Sequence, residues 1–131
     1  MPHHVNVLTG KIIGLAIEIH RSLGPGLLES AYHQCLVREL ELSDIPFKSK
    51  LPLPLVYKGI EVKGYEVDLL VANTVVLELK SVAALAPVHE AQLLTYMRLG
   101  GWQIGLLLNF NVVVMKDGIR RKVLNFQEEE V

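Results

Sequence analysis

The chain has 131 residues, and its 13 basic and 14 acidic side chains give it a formal net charge of −1. Half of the residues are hydrophobic and 21% are charged, a balance that excludes a mainly disordered, collagen-like or low-complexity chain. This length predicts a single domain over residues 1–131, large enough to fold without a disulfide or a structural metal.

Three features of the sequence bear on the cellular compartment of the protein. Cys35 is the one cysteine, so an internal disulfide is impossible and an oxidising compartment is not implied. The apolar runs are far shorter than the roughly 20 residues that a membrane-spanning helix needs. Residues 1–4 do not resemble the start of a secretory signal. We therefore expect a soluble cytoplasmic protein with no membrane partner.

The near-zero charge also restricts how the protein could contact nucleic acid. Proteins that hold nucleic acid through bulk positive charge are usually strongly basic, and this chain is not. Any such contact must be local, or a bound metal ion must supply the positive charge at the phosphate.

Hydrophobic spacing predicts three helices. Apolar residues recur with helical period over 8–19 and 27–42, and a Gly-Pro-Gly turn at 24–26 separates these two segments. Pro87 suits the first turn of a third helix over 88–99. Cys35 falls in the apolar stripe of the second helix, where we expect a buried structural residue, because no cationic partner is placed to activate it.

Alternating or continuous apolar segments predict the strands, which are 50–57, 60–71, 74–80, 104–108, 112–115 and 119–123. Prolines confine the first of them to an edge, and Asp117-Gly118 predicts a hairpin turn between the last two. Because a helix lies between two strands, the predicted class is α/β, with a mixed central β-sheet flanked by helices. The acidic tail, residues 127–131, is expected to fray.

Charged side chains interrupt two neighbouring predicted strands. Glu78 and Lys80 share one face of their strand, and Asp68 falls beside Glu78 if the two strands pair. Carboxylate oxygens are ligands suited to Mg²⁺ or Mn²⁺, and a lysine beside them can orient a water or neutralise a phosphate oxygen. Ordinary ion pairs on a solvated face are the alternative, and these three residues alone leave both open.

The helices add further polar residues. Gln92 and Tyr96 are four apart and share a helix face that could hold a phosphate or a metal-bound water. The alternative places Tyr96 in the core and Gln92 at its rim. Glu29 borders the apolar stripe in the first turn of the second helix. As an alternative to a role at the site, its negative charge could stabilise the helix dipole.

Together these residues resemble a known family. The motif G-x-x-E-x-x-Y at 26–32, followed by Asp68, Glu78-Leu79-Lys80 and Gln92-x-x-x-Tyr96, resembles the GxxExxY family of the PD-(D/E)xK nuclease superfamily over residues 8–126. The resemblance implies the restriction-endonuclease-like fold and a Mg²⁺- or Mn²⁺-dependent nuclease, with DNA favoured over RNA. Val67 stands where many members carry a proline before the aspartate.

The resemblance also implies a role for each site residue. Its metal ligands would be the carboxylates of Glu29, Asp68 and Glu78 and the carbonyl of Leu79, with Glu29 acting directly or through water. Lys80 would position or deprotonate the attacking water. Gln92 and Tyr96 would help to fix the scissile strand. Glu18 and His20 belong to the family's N-terminal pattern, but no role follows for them.

Two basic clusters could contact a nucleic-acid backbone, with ordinary solubilising charge as their alternative. They are Lys48, Lys50, Lys58 and Lys63, and Arg120-Arg121-Lys122. Two functions other than catalysis also stay open. One is a binding or regulatory module that keeps the nuclease fold without turnover, which the small size favours. The other is a homo-oligomeric assembly subunit in which strand 112–115 pairs across a two-fold axis.

Overall fold

The computed structural model describes residues 3–124, so the tail expected to fray lies outside the described residues. The helices are α1 His3–Leu23, α2 Glu29–Leu42 and α3 Pro87–Gly100. The strands are β1 Phe47–Pro52, β2 Val56–Tyr57, β3 Ile60–Glu61, β4 Glu66–Val71, β5 Val75–Lys80, β6 Ile104–Asn109 and β7 Ile119–Val123. A 3₁₀ helix, Met115–Gly118, precedes β7. No helix in this part of the chain is long and apolar enough to cross a membrane.

Five strands form a mixed sheet in the order β1-β4-β5-β6-β7. The pair β5–β6 is parallel and the other neighbours are antiparallel, because α3 carries the chain back across one face between β5 and β6. The predicted α/β class with a mixed sheet flanked by helices is therefore confirmed, and the architecture agrees with a restriction-endonuclease-like fold.

Helices cover both faces of the sheet. Alternate residues of β5 such as Leu77 pack with α1 and α2 residues such as Ile12 and Leu36 in the larger hydrophobic cluster. The intervening residue Val76 packs with Leu93 of α3 in the smaller cluster. Burial on both faces explains why β5 and β6 consist of nearly continuous apolar residues.

The early strands are shorter than predicted. The segment 50–57 holds the end of β1, which is an edge strand as predicted, and the separate short strand β2. The segment 60–71 is divided into β3 and β4 around Gly64, whose φ is +99°. The predicted tight connection at Ala72-Asn73 is confirmed, since both residues have positive φ, of 52° and 54°.

The predicted strand 112–115 and its hairpin turn at Asp117-Gly118 are wrong. Residues 111–114 form bends, and Asp117 and Gly118 belong to the 3₁₀ helix. The Val112 carbonyl is bonded instead to His20 Nε2 at 2.7 Å, and β7 pairs with β6. A tertiary contact thus overrides the strand propensity of three consecutive valines. The oligomer hypothesis loses its basis, because the strand proposed to pair across the two-fold axis is not there.

Candidate functional site

The centre of the candidate site is the point where β4 and β5 stop pairing. Their register ends at Leu69↔Leu77, so Asp68 and Glu78 would face each other next. Here carboxylates replace the backbone ladder. Glu78 Oε2 accepts the Asp68 N–H at 2.9 Å, and Asp68 Oδ2 accepts the Leu79 N–H at 2.8 Å. This reciprocal exchange fixes two acidic side chains at one place, as the sequence predicted for strands that are hairpin neighbours.

The strand β4 rotates at Asp68, so that its side chains before and after Asp68 face opposite sides of the sheet. Val67 and Leu69 are two residues apart and would share a face in a regular strand. Val67 instead packs in the α3-side cluster, whereas Leu69 packs in the cluster under α1 and α2. Asp68 therefore lies between the two layers, where residues from α2 and from α3 can both approach it.

Burial raises the free energy of ionisation of the two carboxylates. Glu78 is only 3% exposed, and burial, reinforced by the negative charge of Asp68, raises the pKa of Glu78 to about 8. Burial also raises the pKa of the partly buried Asp68, although the Leu79 N–H opposes this shift. The positive charge of Lys80 lowers both pKa values without overcoming burial. The positive charge of Lys80 is therefore too small to keep both carboxylates ionised, and a divalent cation would supply the remainder.

A directed hydrogen-bond chain runs along the α3 side of the site. Lys80 Nζ donates to Gln92 Oε1 at 2.9 Å, and Gln92 Nε2 donates to the Tyr96 hydroxyl at 3.2 Å. Burial and the negative charge of Glu78 raise the pKa of Tyr96. Tyr96 is also 8% exposed and packs in the α3-side cluster, so it is both a core residue and part of this chain.

Glu29 reaches the site from the α2 side. It is the first residue of α2, and it lines a cleft of about 240 Å³ together with Asp68. Although Glu29 is exposed, partial loss of hydration and the negative charge of Asp68 raise its pKa, while Lys80 lowers it. All six predicted catalytic residues thus lie around the opened end of β4 and β5. They are Glu29, Asp68, Glu78, Lys80, Gln92 and Tyr96.

The acidic residues do not form a ready-made ligand cage. Within residues 3–124, no group of three or more His, Cys, Asp or Glu side chains is arranged to hold a metal ion. Asp68 and Glu78 each use one oxygen in the exchange described above, which leaves the second oxygen of each as a donor. The donor set present is therefore two carboxylates.

Tyr32, the last residue of the motif, has a role that sequence reasoning missed. It is fully buried and stacks on Phe110, with the ring centroids 4.5 Å apart. Its hydroxyl also donates to the Gly24 carbonyl at 2.6 Å and accepts the Leu27 N–H at 3.1 Å. Tyr32 thereby shapes the loop that delivers Glu29, and the Glu-x-x-Tyr spacing was the signal for it.

Asn109 was missed altogether. Its buried side-chain amide accepts the Val82 N–H and donates to the Val82 carbonyl, each at 3.0 Å. It also accepts the Asn111 N–H at 3.2 Å. The clamp ties the end of β6 to the loop that leaves Lys80, and Ser81 Oγ in that loop donates to the Leu27 carbonyl at 2.6 Å. The available signal was one polar residue ending an otherwise continuous apolar strand.

The remaining predicted residues serve other contacts. His20 holds Val112, as described above, whereas Glu18 pairs with Arg21 on the surface at 3.1 Å. Cys35 is free and partly buried, so it is packed less deeply than expected. Each side chain of the second basic cluster has a partner within the protein: Lys122 pairs with Glu90, Arg121 donates to Asn6 Oδ1, and Arg120 donates to the carbonyls of Asp117 and Ile119.

A family model of the PD-(D/E)XK nuclease superfamily matches residues 6–122. No curated protein and no solved structure matches the chain significantly. The matched range contains every residue of the site described above.

Proposed function

Because the chain belongs to the PD-(D/E)XK nuclease superfamily, we propose that it is a divalent-metal-dependent nuclease that hydrolyses phosphodiester bonds of nucleic acid. The observation that carries this proposal is the reciprocal exchange between Asp68 and Glu78, with Lys80 two residues further along β5. We assign the chain to the GxxExxY branch on its motif at 26–32, and on that resemblance we propose DNA rather than RNA as the substrate. A cytoplasmic location and a single domain over residues 1–131 stay predictions.

The residues present fit a hard divalent cation. Members of this superfamily typically use divalent metals, and the donors here are oxygens, which favours Mg²⁺ or Mn²⁺ over Zn²⁺. Asp68 and Glu78 would hold the ion, with the Leu79 carbonyl as a further ligand. Glu29 would join through water, because no third carboxylate in the described part of the chain is arranged as a ligand. When bound, such an ion polarises a phosphoryl oxygen and lowers the pKa of a coordinated water.

The chain's own residues supply the other parts of the chemistry. Gln92 holds the Lys80 ammonium at the rim of the acidic pair, where the ammonium can orient the attacking water or share charge that develops on the phosphate. The Tyr96 hydroxyl accepts its hydrogen bond from Gln92, which leaves its own proton free to donate. The chain Lys80–Gln92–Tyr96 therefore ends in a donor suited to a phosphate oxygen of the scissile strand.

A cleavage assay tests this function. Labelled single- and double-stranded DNA and RNA are incubated with Mg²⁺ or Mn²⁺ and the wild-type protein, Lys80→Ala or Glu78→Gln. We expect both variants to lose cleavage by about 100-fold or more, in line with removal of a positioned acid–base or metal-binding group. The matched controls are Lys11→Ala and Glu41→Gln, exposed residues on other surfaces, which should cleave at the wild-type rate. Full-rate cleavage by Lys80→Ala and Glu78→Gln would reject the assigned site.

One observation favours the second candidate function, a nuclease-fold binding module without turnover. No three acidic or imidazole side chains in the described part of the chain form a metal-binding group. A module of this kind would bind an oligonucleotide without cleaving it, with or without a divalent metal. Metal-dependent cleavage that is lost in Glu78→Gln would exclude it.

A further inference from the structure

An irregularity in β1 lies directly opposite Asp68. The pairing of β1 with β4 includes Ser49↔Leu69 and Leu51↔Val67, so the pair skipped between them is Lys50 with Asp68. At this position Lys50 has a φ of 54°, in the left-handed region. The other non-glycine residues with positive φ in residues 3–124 lie in turns, whereas Lys50 lies inside a strand. A strained lysine within a strand calls for a reason beyond local folding.

The neighbouring helix holds this irregularity in place. His33 follows Glu29 by one helical turn, and its Nε2 lies 2.8 Å from Ser49 Oγ, next to Lys50. The contact ties the distorted part of β1 to α2. It also closes one side of the cleft that Glu29 and Asp68 line, and Ser30, Gln34 and Lys50 complete that lining. The left-handed backbone thus turns the Lys50 side chain into the cleft beside the proposed metal site.

The charge of Lys50 is not used within the described structure. No acidic side chain in residues 5–124 lies within ion-pair distance of its ammonium. Lys50 lines the cleft together with His33, and its positive charge contributes to lowering the pKa of His33, after the larger effect of burial. A phosphate entering the cleft would meet this free cation, with the carboxylates of Glu29 and Asp68 behind it.

We infer that Lys50 is a substrate-binding residue whose ammonium holds a nucleic-acid phosphate in the α2–β1 cleft, next to the phosphate that is cleaved. This inference rests on the proposed nuclease function, because the cleft leads to Asp68. It explains why a lysine occupies a backbone conformation that glycine adopts without strain. Since Glu29 and Asp68 line the same cleft, phosphate binding at Lys50 depends on a divalent cation that neutralises them.

Lys50→Gly provides a sharp test, because glycine keeps the left-handed backbone and removes the ammonium. Binding of labelled single-stranded DNA and RNA is followed by fluorescence anisotropy in Ca²⁺ over a series of salt concentrations. We expect Lys50→Gly to weaken affinity about fivefold, and the slope of log K against log[salt] to become shallower by about 0.7, the loss of one phosphate contact on a single strand. Lys50→Arg should retain most of the affinity. The DNA and RNA series show which backbone the cleft holds.

Lys11→Ala, an exposed charge removed from α1, is the matched control and should leave affinity and slope unchanged. Thermal unfolding verifies that Lys50→Gly is folded, and its melting temperature should equal or exceed that of the wild type. If the wild type cleaves but Lys50→Gly binds with unchanged affinity and slope, the inference is overturned while the nuclease function stands. If the wild type neither binds nor cleaves any of these substrates, the nuclease function fails and this inference fails with it.

Discussion

At the scale of single residues, the site depends on two carboxylates that accept hydrogen bonds from backbone N–H groups of β4 and β5. Each accepts an N–H that a regular ladder would give to a carbonyl, and no cationic side chain in residues 5–124 lies at hydrogen-bond distance from Asp68 or Glu78. The cost is the burial of two acidic groups side by side. Such a cost at one point, in a structure that buries well-packed leucines and valines elsewhere, supports the proposed cation site.

The raised pKa of Glu78 predicts how stability changes with pH when no metal is present. The folded pKa of about 8 lies above the ordinary value of 4.5, so the folded state holds a proton that the unfolded state releases. The stability that this proton contributes is fully present below pH 4.5 and is lost progressively as the pH rises to about 8.

We therefore expect metal-free Glu78→Gln to be more stable than the wild type at pH 8, by about 2–4 kcal/mol, with the difference vanishing near pH 4.5. Urea unfolding of both proteins in EDTA at several pH values measures this difference. Exposed Glu41→Gln is the control and should follow the wild type. Equal stability of Glu78→Gln and wild type at every pH would contradict a buried, destabilised carboxyl.

At the scale of elements, the loop between α1 and α2 decides where Glu29 lies. Gly26 has a φ of 102° and gives its N–H to Asn111 Oδ1 at 3.1 Å, and the Tyr32 hydroxyl binds both ends of the turn. The motif that indicated a family resemblance is thus a physical unit. Its glycine makes the turn, its tyrosine fixes the turn, and its glutamate is delivered to the cleft.

Tyr32→Phe should separate these roles. The ring and its stacking on Phe110 are kept, but the Leu27 N–H loses its acceptor. We expect a loss of about 1–2 kcal/mol in the free energy of unfolding and about a tenfold loss of cleavage, since Glu29 is no longer held in place. Urea unfolding and the Mn²⁺-dependent cleavage assay measure the two effects. Exposed Tyr57→Phe should change neither, and wild-type cleavage by Tyr32→Phe would remove the positioning role of the hydroxyl.

Periodicity predicted most of the elements because it reflects burial directly. The three helices and the strands β5 and β6 follow from apolar spacing and from Pro87 at the start of α3. The strand β7 lies where the predicted hairpin returns, although the turn of that hairpin is wrong. The same reasoning failed at 112–115, where the valines resemble a strand but the backbone of that segment is bonded to His20. A contact between residues 92 positions apart leaves no local trace in the sequence.

At the scale of the whole molecule, the mixed sheet brings residues from both its faces to one opened end. Glu29 comes from α2 on one face and Gln92 and Tyr96 come from α3 on the other, while the rotation of β4 at Asp68 joins them. The resemblance to the nuclease family, carried by these residues and their order, implied this grouping. The rotation, the left-handed Lys50 and the Asn109 clamp could not be predicted, because each depends on packing between distant segments.

At this scale the net charge of the chain also favours a bound cation. A chain of charge −1 offers little general attraction to a polyanion, so the proposed function requires a cation at the acidic pair and a few placed lysines to provide it. In the proposed function, metal binding is the property on which catalysis, substrate affinity and the stability of the acidic pair all depend.

Calorimetric titration of Mn²⁺ into the metal-free protein at pH 7.5 tests this central claim most directly. We expect the wild type and Glu41→Gln to bind Mn²⁺ with the same affinity, and Glu78→Gln and Asp68→Asn to lose binding by at least tenfold, because each removes one of the two carboxylate ligands. Mn²⁺ binding of equal strength in all four proteins, or none in the wild type, would contradict a cation held between β4 and β5.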